Sequence, residues 1–112
     1  MTHLAVIEIG SNAVRMIHGE KGDDSILKVV RSWSSHLRLG QEVFRTGEIP
    51  NTFQEKLCRI LEQLLSHLES LSACSLQIFG TSAMRDAKNQ REVLMMIEKN
   101  CGVSVRVLSG HE

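Results

Sequence analysis

Tyrosine is absent from the 112 residues, and tryptophan and phenylalanine number one and three. Aromatic platforms on which single-stranded nucleic acid could stack therefore have no candidates. An excess of either charge is missing too, since thirteen basic residues balance thirteen acidic ones. No global field favours nucleic acid or an anionic membrane, so any affinity for anions must be local. No apolar run approaches the roughly 20 residues that span a bilayer, and Met1-Thr2-His3 leads into an apolar strand without a signal-peptide pattern. A cytoplasmic protein is expected, with neither nucleic acid nor membrane as partner. Cys58, Cys74 and Cys101 are odd in number and set among apolar residues, which suits reduced core thiols better than a disulfide framework or a zinc site. His3, His18, His36, His67 and His111 offer no spacing that puts two on one helix face, and none lies near a cysteine pair. That speaks against a His/Cys metal site. A Walker lysine, a GxGxxG loop and a Gly-x-Ser-x-Gly elbow are also missing.

The length allows one domain at most. Leu4-Ala5-Val6-Ile7 runs directly into Glu8-Ile9-Gly10-Ser11-Asn12-Ala13-Val14-Arg15. The spacing predicts a strand over 4–9, apolar almost throughout, as in a sheet covered on both faces. Glu8 breaks that pattern at the mouth of the strand. Gly10 permits a turn in which backbone N–H groups approach an anion, and Ser11 and Asn12 add side-chain donors at the same tip. The same residues also suit an ordinary hairpin turn.

Val14 to His18 alternates as a second strand, Lys21-Gly22-Asp23-Asp24 supplies a turn, and Ile26 to Val30 resumes an apolar run. Three strands joined by short turns predict an antiparallel meander. Ser34 to Pro50 reads as a long irregular connection punctuated by Gly40, Gly47 and Pro50. Connections of that length are often functional, which makes Arg38-Leu39-Gly40 a candidate element. Phe53, Leu57, Ile60, Leu61, Leu64, Leu65, Leu68 and Leu71 recur at helical spacing, and Thr52-Phe53-Gln54-Glu55 fits a capping box. The apolar stripe is wide, so packing on a sheet is favoured over a dimerising zipper.

Ser75 to Phe79 reads as a short strand ending in Gly80, followed by Thr81-Ser82-Ala83-Met84-Arg85-Asp86-Ala87 as a polar turn and helix start. Open α/β sheets bind ligands just past the carboxyl ends of their strands, and an arginine there suits bidentate contact with phosphate oxygens. Alternatively, Thr81 and Ser82 only cap a helix and Arg85 pairs with Asp86. Asn89 with Glu92 opens a further helix that Gly102 ends. Val103, Val105 and Val107 mark a last strand running into Ser109-Gly110-His111-Glu112. The fold class is α/β, a three-strand antiparallel meander followed by helix, strand, helix and strand in a mixed sheet. If the last two strands run parallel to the first, the three polar loops meet at one edge.

In order and spacing, four segments resemble the N-terminal part of the exopolyphosphatase/guanosine pentaphosphate phosphatase (Ppx/GppA) family. They are Ile9-Gly10-Ser11-Asn12 with Arg15, Arg38-Leu39-Gly40 with Thr46-Gly47, Thr81 to Ala87 with Asn89, and Leu108-Ser109-Gly110. The resemblance covers essentially the whole chain. It implies that residues 1–112 form part of the first lobe of an actin-like ATPase, ribonuclease-H-like superfold. It also implies hydrolysis of phosphoanhydride bonds in inorganic polyphosphate or guanosine pentaphosphate, usually with magnesium. Carried over, Gly10, Ser11 and Asn12 form the first phosphate loop, while Arg15, Arg38, Thr81, Ser82 and Arg85 complete the substrate-phosphate set. Glu8 takes the metal-ligand position, where aspartate is more frequent, and its extra methylene displaces the carboxylate from the tight geometry magnesium requires. Ala13 stands where serine is common.

In the family's Ser-Gly-x-Glu-Glu-Ala segment the second glutamate is the usual base that orients the attacking water. Here Glu112 aligns with the first, beside the expected base, and is the catalytic candidate. The family's second, glycine-rich phosphate loop has no counterpart. The expectation is a phosphohydrolase part that is nearly inactive alone. Alternatives are a non-catalytic polyphosphate- or nucleotide-binding regulatory module, and a lobe of a sugar or acetate kinase on the same superfold. An exposed sheet edge and an uncovered apolar face predict homodimerisation through the last strand.

Overall fold

In the computed structural model, which describes residues 2–71 and 74–110, β1 (Thr2–Ile9) pairs antiparallel with β2 (Ala13–Lys21), and β2 with β3 (Leu27–His36). The chain then forms α1 (Leu39–Thr46), α2 (Asn51–Ser66), β4 (Cys74–Gly80), α3 (Ser82–Asp86), α4 (Gln90–Cys101) and β5 (Arg106–Val107). One five-stranded sheet results, in the order β3-β2-β1-β4-β5. Because β4 runs parallel to β1 and β5 parallel to β4, the loops after all three strands lie at one edge, the arrangement the sequence allowed if the last two strands ran parallel to the first.

The meander and the leucine-rich helix form where hydrophobic period predicts them, but four local expectations need correction. First, β1 is not covered on both faces. Ala5, Ile7 and Ile9 are buried with Val14, Met16 and Ile78 against Leu39, Leu57, Leu61, Met84, Val93 and Ile97, whereas Val6 and Ile17 on the other face are 42% and 50% exposed. The helices therefore cover one face, and each fully buried aliphatic side chain there contributes about 1.5–3 kcal/mol.

Second, much of the connection between Ser34 and Pro50 is regular. β3 continues to His36, and α1 follows because Leu39 and Val43, four residues apart, both reach the core. An exposed Glu42–Arg45 ion pair at 2.9 Å spans one turn of its outer side. Gly47, at φ 83°, ends the helix in the left-handed conformation glycine favours.

Third, the Thr52–Glu55 capping box does not form. The helix begins two residues earlier, with Pro50 rather than Thr52 at the cap and Asn51 as its first residue, and the Pro50 carbonyl accepts from the N–H groups of Phe53 and Gln54 at 2.9 Å each. It also stops at Ser66, so Leu68 is buried from a following turn rather than from the helix. Asn89 stands at the N-cap of α4 without capping it. Its amide instead accepts from Ile49 N–H at 3.0 Å and donates to Ile49 C=O at 2.9 Å, clamping the α1–α2 connection to the α3–α4 connection.

Fourth, the last strand pairs over two residues only, although Val103, Val105 and Val107 do point inward from exposed Ser104 and Arg106. The long open edge belongs to β3. The three cysteines are free, with Cys58 buried and Cys74 and Cys101 half-buried. Among the described residues, no helix is long and apolar enough to cross a membrane.

Candidate functional site

Gly10 N–H donates to Ala13 C=O at 2.9 Å and closes the turn after β1. Thr81 N–H donates to Ile9 C=O at 3.1 Å, so the turn after β4 is stitched to the end of β1. Side chains join the same two loops, since the Ser11 and Ser82 hydroxyls share a 2.7 Å hydrogen bond. The third loop is held in turn: Leu108 N–H donates to Gly80 C=O at 2.9 Å, and Arg85 Nη1 donates to Leu108 C=O at 3.1 Å. Three segments far apart in sequence thus form one polar rim at the carboxyl ends of parallel strands.

The Arg38-Leu39-Gly40 segment belongs to this rim as well. Gly40 N–H donates to Ser11 C=O at 2.9 Å, and Leu37 N–H donates to Asn12 C=O at 3.1 Å. A Cβ on Gly40 would stand 2.8 Å from Ser11 Cβ. Glycine at 40 is therefore a close-approach residue inside a helix, not a helix break. A cleft of about 360 Å³ opens beside the rim, with Ser11, Gly40, Phe44, Ser82 and Asp86 in its walls. Phe44 was not anticipated from sequence, and Asp86 only as an ion-pair partner of Arg85. Phe44, at 95% exposed, lies outside the buried set that hydrophobic spacing identifies.

The other anticipated residues are placed less centrally. Glu8 and Arg15 are cross-strand partners, both exposed on the uncovered face of the sheet, and among the described residues no ion pair joins them. Glu8 nevertheless reaches toward the rim. A Cβ built on Gly10 would lie 3.2 Å from Glu8 Oε1 and 3.9 Å from Thr81 Oγ1, so a carboxylate oxygen and a hydroxyl border the same small space above the first turn. Arg38 is exposed at the start of α1, and Asn12 is exposed at the tip of the first turn. Arg85 does pair with Asp86 at 3.7 Å, but this ion pair is exposed and contributes little. Glu112 and His111 lie outside the described residues.

Comparison with known proteins gives a consistent set. The model of the Ppx/GppA phosphatase family matches residues 17–112. Exopolyphosphatase 1 of Mycobacterium tuberculosis is 28% identical over 109 residues, covering 97% of this chain and 32% of that protein. The crystal structure of the Aquifex aeolicus Ppx/GppA family member superposes with a TM-score of 0.91 at 25% identity, over 97% of this chain and 35% of that one. An exopolyphosphatase from Cytophaga hutchinsonii shares the fold at a TM-score of 0.90 and 21% identity, over 98% of this chain and 35% of that one. The chain spans about a third of the length of the curated relatives it matches.

Proposed function

Because the chain belongs to the Ppx/GppA phosphatase family, we propose that its joined loops bind the phosphates of inorganic polyphosphate within a phosphoanhydride-hydrolysing site. The observation that carries this proposal is the convergence of three strand-end loops through the Ser11–Ser82 and Arg85–Leu108 hydrogen bonds. A polyanion needs many donors at fixed spacing, because most of the catalysis in phosphoryl transfer is positioning and charge stabilisation. With the Gly10 N–H committed to Ala13 C=O, the backbone N–H groups of Ser11 and Asn12 and the Thr81 and Ser82 hydroxyls would supply neutral donors. Arg85 uses one guanidinium N–H for Leu108 and keeps others to bind phosphate oxygens. Arg15 and Arg38 would add positive charge further out. Polyphosphate is favoured over guanosine pentaphosphate because curated relatives at 28% identity are named exopolyphosphatases. Glu112 keeps its place in the proposal beside the base that orients water.

Magnesium belongs to the same proposal. The space above Gly10 bordered by the Glu8 carboxylate and the Thr81 hydroxyl offers hard oxygen donors, and magnesium commonly takes one or two carboxylates with the rest from water and phosphate. Glu8 would hold it beside the Thr81 hydroxyl, with retained waters in the magnesium shell accommodating the carboxylate that the extra methylene displaces. When bound, the cation neutralises phosphate charge. A cytoplasmic setting is supported by the three free thiols. Homodimerisation through an open sheet edge is supported by β3, although Lys28, Arg31 and a bulge at His18/Gly19 blunt that edge.

Titration calorimetry with inorganic polyphosphate tests the binding step. Charge-assisted hydrogen bonds contribute about 1.5–3 kcal/mol, so Arg85→Ala should weaken binding by roughly ten- to a hundredfold and Ser11→Ala by less. Equal affinity in both variants, or no binding by the parent chain, would overturn the proposal.

A further inference from the structure

The histidine spacing that excluded a shared helix face does not exclude two strands. In the antiparallel register of β1 and β2, His3 stands opposite Glu20, and Ala5 opposite His18. His3 and His18 are therefore diagonal neighbours on one face of the sheet. Their rings meet: His3 Nδ1 lies 3.0 Å from His18 Nε2 and 3.8 Å from Glu20 Oε1. Among the described residues, these three side chains are a group whose ligand atoms all fall within 4.8 Å of one another. His18 is 6% exposed, and His3 and Glu20 are half-buried. The position is the far end of the sheet from the phosphate rim. His3 and Gly10 are seven residue steps apart along β1, or roughly 23 Å at about 3.3 Å per step.

We propose that His3, His18 and Glu20 form a zinc-binding site with three protein ligands. A tetrahedral zinc with bonds of about 2.0–2.1 Å to nitrogen and oxygen separates its ligand atoms by roughly 3.3 Å. The spacings of 3.0 and 3.8 Å bracket that value, and the His18–Glu20 pair lies within 4.8 Å, so side-chain rotation that closes the longer spacings completes the set. Without metal, the two facing ring nitrogens share one proton. Moving it to the outer nitrogen of the ring that carries it, as neutral imidazole allows, leaves both inner lone pairs for the cation. Glu20 supplies the anionic oxygen, so the set is two neutral imidazoles and one carboxylate, a combination that zinc accepts. The site has an entrance. A cleft of about 200 Å³ between β2, β3 and the turn after α2 is lined by His18, Glu20, Trp33 and His67, leaving room for water as a fourth ligand. The cation would tie the open end of the hairpin where β1 starts to the strand that follows it.

Calorimetry with Zn2+ and absorption spectroscopy with Co2+ test the site on the purified 112-residue chain. One cation per chain is expected, with a tetrahedral cobalt spectrum free of thiolate charge transfer. His18→Ala removes a buried ring and can unfold the chain, so the deciding variants are His3→Ala and Glu20→Gln at half-buried positions. Each should weaken Zn2+ binding at least about tenfold, by analogy with the losses that accompany disruption of metal shells. Each should also abolish the rise in melting temperature that Zn2+ gives the parent chain. Absence of binding, affinity unchanged in both variants, or a thiolate band that Cys58→Ser or Cys101→Ser removes would overturn the proposal. None of these outcomes depends on phosphate binding.

Discussion

Gly40 sets how closely α1 can approach the Ser11 loop. In an unobstructed helix, replacing glycine by alanine stabilises by up to about 1 kcal/mol. Here the added Cβ meets Ser11 Cβ at 2.8 Å, and neither atom is the free end of a flexible chain. Overpacking of this kind costs about 1–3 kcal/mol, so Gly40→Ala should destabilise the chain in urea unfolding, and stabilisation would contradict the close-approach role. Cys101 gives a second residue-scale prediction. Burial first, and then its hydrogen bond with Cys58, push its thiol up to about 12 from an ordinary 9.0. The folded chain holds this proton more tightly than the unfolded chain does. The stabilising contribution is therefore complete below pH 9.0 and is lost as pH rises toward about 12. Stability compared between the parent and Cys101→Ser across that window should fall more steeply with pH in the parent. Parallel slopes would remove the effect.

The helix and strand patterns were legible where one residue set had one role. α2 was found because its leucines recur at helical period, and the meander because its turns carry glycine and aspartate. α1 was missed because Gly40 and Gly47 look alike in sequence. One ends the helix at positive φ, and the other sits inside it to let Ser11 approach. The capping residues failed for a related reason: Asn89 has the chemistry of a cap, yet a tertiary partner, Ile49, took its amide. That clamp is testable. Ile49 is fully buried, and its C=O also accepts from Gln54 Nε2 at 2.9 Å, so Asn89→Ala strands one buried N–H, and an unpaired group of that kind costs about 1–3 kcal/mol. Denaturant unfolding should show a loss of at least about 1 kcal/mol, while a change near zero would mean that another group satisfies Ile49.

At the scale of the molecule, family and fold were legible because four short motifs kept their order and spacing, and the parallel pairing of β1, β4 and β5 brings three of them together. The uncovered face was not legible, since a run such as Leu4 to Ile7 is apolar whether one side or both are packed. That face carries Val6 and Ile17, each more than 40% exposed, in the sheet whose open edge is β3. Exposed apolar area next to an unpaired edge favours association. Light scattering should therefore show the apparent mass rising with concentration, and a constant monomer mass would show that Lys28, Arg31 and the bulge protect the edge.

The most direct test of the joined-loop site is a backbone amide NMR titration with inorganic polyphosphate. Shifts confined to residues 9–13, 80–86 and 108–110, and lost together in Arg85→Ala, are the predicted result. Shifts centred instead on Lys28 and Arg31 of β3, or spread evenly over the basic residues, would contradict it.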